Sequence, residues 1–304
     1  MTSTLRAGVI GAGVFGGYHA AKYAELPDVA LAAVLDPHPD RAQAITDRFG
    51  GAVQTDLESF LTAVVVVSVA TPAVHHGRLA LAALRAGKPT YVEKPIAVDP
   101  ADADAIVAEA RRRNLVVACG FLERAAFAAM GLYAIPHPPL RMDCARLGPA
   151  SPRNLDVSVI LDLMIHDLDL ALHLTASDPL TVEAEGACVA NAFVDEASAE
   201  VSFEDGFQAS FRASRIAETR ERTLTLIYSE GEVRLDLLAH TFENTTPWRL
   251  DAGFEETPAG RDRLGASLAA FLAAVRGHGA PLADAVEGAR ALDLALAVEH
   301  AVGG

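Results

Sequence analysis

The sequence predicts an α/β protein: a doubly wound parallel Rossmann sheet, followed by an α+β domain with a large, mostly antiparallel sheet. Three observations carry this. A Gly11-Ala-Gly13-Val-Phe-Gly16 turn lies between a short apolar run and a helical pattern. Apolar runs of strand length then alternate with helical patterns to about residue 119. Beyond Leu180 the pattern becomes short β runs separated by hairpin-type turns. Alternating strands and helices imply a parallel sheet with crossover helices, and successive hairpins imply an antiparallel one. The expected division is 1–119 for the dinucleotide-binding domain and 120–304 for a domain that binds substrate and builds oligomers.

In the first domain, Leu5–Ile10 reads as a strand and Val14 to about Glu25 as a helix, closed by Leu26-Pro27. Val29–Leu35 reads as a second strand, ending at Asp36. An acid thus stands 20 residues beyond Gly16. Strand, glycine turn, helix, strand and acid together form the context that a dinucleotide fingerprint requires. Gly11 allows the tight turn, Gly13 lets the backbone approach a pyrophosphate, and Gly16 lets helix and strand pack closely. The helix N-terminus offers N–H groups and a positive dipole end to phosphate. Asp36 would accept from the ribose hydroxyls and oppose a 2′-phosphate, which favours NAD; Arg41 nearby keeps NADP open.

A helix is expected over 38–49, and Ala63–Ala70 reads as a continuous apolar strand, as in a sheet covered on both faces. Thr71-Pro72 starts a helix through Arg85, and Thr90–Val92 is a strand leading into Glu93-Lys94-Pro95. A helix over 100–113 ends in three arginines, and Leu115–Cys119 is the next strand. The carboxyl ends of such strands line the ligand crevice. Lys94, at one of them, can hydrogen-bond a substrate hydroxyl and stabilise an alkoxide. The chain has only three lysines, Lys22, Lys88 and Lys94.

The second domain opens with a helix over 121–132, a Pro-rich linker at 135–139 and a strand over 141–147. Val157–Leu174 then reads as a helix of unusual pattern. Asp162, His166, Asp169 and His173 fall at steps of four, three and four, which puts an ionisable stripe on one face of an apolar helix. Buried carboxylates and imidazoles are costly unless paired or lining a cavity. The stripe therefore admits three readings: the wall of a site, a buried structural network, or a metal site lacking its remaining ligands. The β runs near 181–190, 197–204, 207–213, 222–228 and 231–237 follow, with turns at 204–206 and 229–231. Helices over 262–276 and 283–302 close the chain. An open sheet needs cover, which predicts a homo-oligomer, a dimer or tetramer.

The formal net charge of −15 argues against binding nucleic acid or an anionic membrane, which needs clustered cations. Three cysteines without CxxC spacing fit reduced thiols. Neither a signal-peptide pattern nor an apolar run of membrane-spanning length is visible, so a cytoplasmic location is expected.

These residues together resemble the glucose–fructose oxidoreductase / inositol dehydrogenase / MocA family. The likeness spans essentially the whole chain. It rests on the glycine fingerprint, Ala70-Thr71-Pro72 with His76, Gly87-Lys88-Pro89, Glu93-Lys94-Pro95 and Asp162-Leu-Met-Ile-His166-Asp167. The resemblance implies a Rossmann domain joined to a mostly antiparallel sheet, and NAD(P)-linked oxidation of a sugar or cyclitol hydroxyl without a metal. It implies Lys94, Asp162 and His166 as the catalytic group. The cofactor residues it implies are Gly11, Gly13, Val14, Phe15 and Gly16, with Asp36 and Arg41, then Ala70, Thr71, Pro72 and His76, then Glu93 and Lys94. His166, with an ordinary pKa near 6.5, suits the general base. Asp162 would orient it or hold a neighbouring substrate hydroxyl.

The stretches Phe121-Leu-Glu-Arg124, Arg146-Leu147, Arg153, Asp156–Asp169 and Ser214-Arg215-Ile216 look like the branch that oxidises UDP-N-acetylglucosamine at carbon 3 for lipid A diamino sugars. The chain departs from that branch where Ala-Ala-Phe follows Arg124 and where Ala145 precedes Arg146. A sugar-nucleotide diphosphate needs cationic partners, and Arg124, Arg146, Arg153 and Arg215 are the candidates. Other readings are an inositol or free-hexose dehydrogenase, a C=N or C=C reductase on the same fold, and a non-catalytic NAD-sensing module. Retention of both Lys94 and the Asp162/His166 pair favours alcohol chemistry.

Overall fold

The structure, a computed structural model, describes residues 4–151, 156–190 and 192–303. The elements in chain order are β1 Leu5–Ile10, α1 Val14–Glu25, β2 Val29–Leu35, α2 Pro39–Phe49, β3 Ala52–Gln54, α3 Leu57–Ala63, β4 Val66–Val69, α4 His76–Arg85, β5 Thr90–Val92, α5 Pro100–Arg113 and β6 Val117–Cys119. They continue with α6 Glu123–Met130, β7 Arg141–Leu147, α7 Ile165–Thr175, β8 Pro179–Ala187, β9 Glu196–Phe203, β10 Gln208–Ser214, β11 Glu221–Tyr228, β12 Gly231–Asp236 and β13 Thr241–Asn244. The last helices are α8 Pro258–Arg261, α9 Arg263–Val275 and α10 Ala285–Gly303. Two compact units result. One comprises Met1–Leu122 with Asp262–Ala289, the other Glu123–Arg261 with Arg290–Gly304.

The first unit is a six-stranded parallel sheet in the order β3-β2-β1-β4-β5-β6, the doubly wound arrangement expected. Its central strand β4 is buried throughout, which is why it reads as an unbroken apolar run. The run is shorter as a strand than its composition suggests. Ala63 ends α3, a helix started by Asp56, whose carboxylate accepts from the Ser59 N–H at 2.8 Å. β3 and α3 are absent from the pattern reading because both are short and lack a full period.

Residues 262–289 fall in the second domain by pattern but pack within the first unit. Leu264, Leu268, Phe271 and Leu272 of α9 join the core formed by Ala7, Val9, Tyr23, Val66 and Tyr91. The Phe271 ring meets Tyr91 edge-on at 5.9 Å, and the Tyr91 hydroxyl shares a 2.9 Å hydrogen bond with Ser267. An amphipathic period shows that a helix needs cover, not which sheet supplies it.

The second unit is a seven-stranded sheet in the order β13-β12-β11-β7-β10-β9-β8. All neighbours are antiparallel except β7 and β10, which run parallel. The turns at 204–206 and 229–231 join β9 to β10 and β11 to β12 as the sequence implies. Strict alternation in β9 buries Ala197, Ala199, Val201 and Phe203 and leaves Glu196, Ser198 and Glu200 outward. One sheet face is thus core and the other polar.

The helix around His166 is not a uniform α-helix. Ser158 starts it by accepting from the Leu161 N–H at 3.1 Å, and Ile160–Met164 then forms a π-helical turn that runs into α7. The wider turn breaks the steps of four, three and four at Asp162, so the stripe is continuous only from His166 onward. Single π turns inside helices concentrate at functional sites.

Replacing Phe271 by Ala removes a fully buried ring from the first unit's core. The expected loss is about 3–5 kcal/mol, read as a lower urea midpoint. An unchanged midpoint would contradict the assignment of α9 to that core.

Candidate active site

In the first unit, the fingerprint turn depends on its three glycines in different ways. Gly11 has φ +100°, a conformation that L side chains rarely adopt, and donates to the Leu35 carbonyl at 2.8 Å. A Cβ on Gly16 would collide with the Gly11 carbonyl, so helix α1 can approach β1 this closely only with glycine there. A Cβ on Gly13 would meet nothing within 4 Å, and no side chain caps α1 at this residue. Open space beside an uncapped helix start fits the pyrophosphate of a dinucleotide. Val14 and Phe15, the next two residues, are exposed.

Asp36 does more than await a ribose. Its Oδ2 accepts from the Ala12 N–H at 2.7 Å and its Oδ1 from the His38 N–H at 2.8 Å, so the carboxylate braces the turn itself. Each oxygen has further lone pairs for a hydroxyl donor. Arg41, on the first turns of α2, is exposed.

Behind Lys94 lies a buried polar chain that pattern reading passed over. The His19 ring has Nε2 2.9 Å from Glu93 Oε1 and Nδ1 3.0 Å from Ser68 Oγ. The Ser68 and Tyr23 hydroxyls share a 2.6 Å bond. His19 and Ser68 are fully buried. The signals were present: His19 and Tyr23 are four apart on the buried face of α1, and Ser68 is the one polar residue in an apolar strand. This chain ties α1 to the end of β5, next to Lys94.

His76 is not placed as a ligand contact. Its ring is 1 % exposed, with Nδ1 2.7 Å from the Pro95 carbonyl and Nε2 2.9 Å from the Thr71 carbonyl. Burial pushes its pKa down, against the opposing pull of the two carbonyls. The ring clamps the Thr71-Pro72 loop to the Lys94-Pro95 loop, which positions both. Of the other lysines, Lys22 pairs with Asp262 at 3.0 Å and Lys88 donates to the Val64 carbonyl at 2.7 Å. Those two serve packing.

In the second unit, Asp162 sits in the π turn and His166 in the first turn of α7. Nδ1 of His166 lies 3.0 Å from Glu123 Oε2, at the start of α6. The other Glu123 oxygen accepts from Arg146 Nη1 at 3.0 Å. Burial works against ionisation of Glu123, but His166 and Arg146 beside it hold its carboxyl well below the usual range. Arg146 in turn forks onto Asp167, with Nε–Oδ2 3.0 Å and Nη2–Oδ1 2.7 Å. Glu123 carries no periodic signal, which is why the sequence left it without a role.

The stripe therefore divides. Asp169 belongs to a structural pair, taken bidentately by Arg124 at 2.8 and 2.6 Å. His173 is exposed and lies edge-on to Tyr133 at 4.6 Å. Among the described residues, no group of three or more His, Cys, Asp or Glu is arranged to hold a metal ion.

The expectation that arginines grip a substrate diphosphate needs correcting. Arg124, Arg146 and Arg215 are buried. Arg124 and Arg146 spend their planar forks on Asp169 and Asp167, while Arg215 donates to the Val157 carbonyl at 2.7 Å and lies 3.8 Å from buried Asp195. These guanidiniums compensate internal carboxylates. Arg153 lies outside the described residues.

Comparison with known proteins agrees with both units. Residues 5–121 match the oxidoreductase family with an NAD-binding Rossmann fold, and residues 142–234 match the GFO/IDH/MocA C-terminal domain. UDP-N-acetylglucosamine 3-dehydrogenase of Acidithiobacillus ferrooxidans is 34 % identical over 98 % of this chain and 97 % of its own. A solved structure of that enzyme superposes with a TM-score of 0.91, covering 99 % of this chain and 98 % of that one. An inositol 2-dehydrogenase of Acidothermus cellulolyticus is 36 % identical over 55 % of this chain and 52 % of its own. The WlbA dehydrogenase of Bordetella pertussis, solved with NADH and UDP-GlcNAcA, shares the fold at a TM-score of 0.88 and 18 % identity, covering 100 % of this chain and 96 % of that one.

Replacing Arg124 by Ala strands the buried Asp169 carboxylate. The expected cost is about 3–5 kcal/mol of folding free energy, measured by chemical denaturation of the purified variant. A variant of native stability with weakened sugar-nucleotide binding would instead restore Arg124 as a substrate ligand.

Proposed function

The chain belongs to the NAD-binding GFO/IDH/MocA oxidoreductase family, and on that premise we propose that it oxidises a secondary hydroxyl of UDP-N-acetylglucosamine. The observation that carries the substrate is full-length similarity, 34 % identity over 98 % of this chain, to an enzyme named for that reaction. The inositol dehydrogenase noted above matches over 55 % of the chain, which supports the shared chemistry more than a shared substrate.

NAD, when bound, supplies the hydride acceptor. The residues of the chain do the rest. The glycine turn and α1 hold the dinucleotide's pyrophosphate, and Asp36 accepts from its ribose hydroxyls and disfavours a 2′-phosphate. His166 takes the proton of the reacting hydroxyl. Lys94 binds the reacting oxygen and stabilises its developing negative charge. Asp162 holds a neighbouring sugar hydroxyl, since Glu123 stands beside the His166 ring. The product is a ketone suited to a following aminotransferase.

Assembly is part of the proposal. The outer face of the second unit's sheet carries Asp143, Ser198, Glu200, Ser210, Arg212 and Thr225. Pairing two such faces covers the open sheet in a homo-oligomer, and a monomeric mass by light scattering would count against it. No helix among the described residues is long and apolar enough to cross a membrane. Together with the thiol-type cysteines, this supports a cytoplasmic enzyme.

The decisive assay follows NAD reduction with UDP-N-acetylglucosamine, free hexoses and inositols in parallel. Turnover is expected with the sugar nucleotide, and with NAD in preference to NADP; turnover confined to inositols would replace the substrate. His166→Ala should lower turnover ~10²–10⁴-fold, the usual size of general-base help, and near-wild-type turnover would refute that role.

A further inference from the structure

The buried cluster beside His166 carries more carboxylates than guanidiniums. Glu123 and Asp167 bring two carboxylates, and Arg146 brings one guanidinium that contacts both. The side chains are mostly enclosed: 4 % exposed for Arg146, 9 % for Asp167, 15 % for Glu123 and 14 % for His166. The neighbouring Arg124–Asp169 pair is neutral and adds nothing to the sum. An enclosed excess of one negative charge, 3.0 Å from an imidazole nitrogen, favours the imidazolium.

Glu123 is also held in place from two sides. Its own Oε1 is fixed by Arg146 on β7, and the next residue, Arg124, is locked bidentately to Asp169 on α7. The start of α6 therefore cannot drift relative to the helix that carries His166. A carboxylate so anchored favours a proton on the ring nitrogen nearest to it.

We propose that Glu123 is the positioning partner of His166: its Oε2, 3.0 Å from Nδ1, favours a proton on that nitrogen, leaves Nε2 to exchange the substrate proton, and raises the basicity of the imidazole. This rests on the reading of His166 as the general base. In the oxidation, the hydroxyl O–H bond breaks and an N–H bond forms at Nε2. The carbinol C–H bond breaks with its electron pair passing to NAD. Positive charge then appears on the ring beside Glu123, and the proton stays on the imidazole, because His166 and Arg146 hold the Glu123 carboxyl low despite its burial. The carboxylate beside the ring is Glu123 of α6, with Arg146 of β7 behind it and Asp167 on the far side of that guanidinium.

Two measurements test the coupling without reference to turnover. In ¹⁵N-histidine-labelled wild-type protein, assigned by comparison with His166→Gln, the neutral His166 ring should show the Nδ1–H tautomer; an Nε2–H tautomer overturns the proposal. In Glu123→Gln, which keeps the size but removes the charge, the His166 titration midpoint should fall by about one unit or more, with Glu123→Asp restoring most of it. An unchanged midpoint overturns the proposal. The acid limb of the kcat/KM profile should fall with the midpoint. A protein that shows the tautomer and the shift yet oxidises no sugar nucleotide would keep Glu123 as the partner of His166 and overturn the functional reading instead.

Discussion

The second unit depends on one buried cation. Arg146 projects from the middle of a sheet into the core, where an uncompensated guanidinium would cost several kcal/mol. Its planar fork fits Asp167 bidentately and its remaining arm reaches Glu123. That geometry fixes α7 and the start of α6 against β7 at once. Lysine would supply the charge but not the fork. Because Asp167 follows His166 directly, the clamp that satisfies the arginine also sets the rotation of the helix that presents the imidazole. Burial and both carboxylates act on Arg146 in opposite directions, and the carboxylates prevail, so it stays charged.

The first unit solves the same problem with a hydrogen-bonded chain instead of an arginine clamp. The ends of its parallel strands must be polar enough for a ligand yet remain packed. His19, Ser68, Tyr23 and Glu93 satisfy one another below that surface, and His76 bridges two loop carbonyls. A half-satisfied buried network would be worse than an apolar core. The residues around Lys94 are thus rigid from beneath: the Glu93 carboxylate before it and the Pro95 carbonyl after it are both held by imidazoles. Precise placement of a reacting group depends on such supporting contacts.

Much of this was legible in the sequence because it is periodic or local. The glycine turn, the parallel strands and the hairpins each carry a short-range signature, and their order yields the two sheets. What was not legible depends on partners distant in the chain. Glu123 meets Arg146 across 23 residues, and Arg124 meets Asp169 across 45. The sequence shows that Asp169 and Arg124 need partners, but not that each is the other's. The same limit misdirected the diphosphate argument, since an arginine near a ligand-binding motif looks identical whether it faces substrate or a carboxylate within the core. The π turn at Ile160–Met164 was hidden because a helical period assumes the regularity that the turn breaks.

With those arginines committed, recognition of an anionic ligand by this acidic chain has a different basis. The net charge of −15 would repel a sugar-nucleotide diphosphate and a dinucleotide alike if charge acted at long range. At physiological ionic strength it is screened within about 8 Å, so local dipoles decide. The uncapped start of α1 and the open space beside Gly13 leave backbone N–H groups available, and in the proposed function these would meet phosphate oxygens without an added cation. Backbone amides cannot be drawn away into a salt bridge with the many carboxylates of this chain, as a flexible lysine can. An acidic enzyme with three lysines can therefore still bind polyanions, provided that the turn that aims those amides is rigid. Asp36, accepting from two backbone N–H groups of that turn and its neighbour, gives it that rigidity.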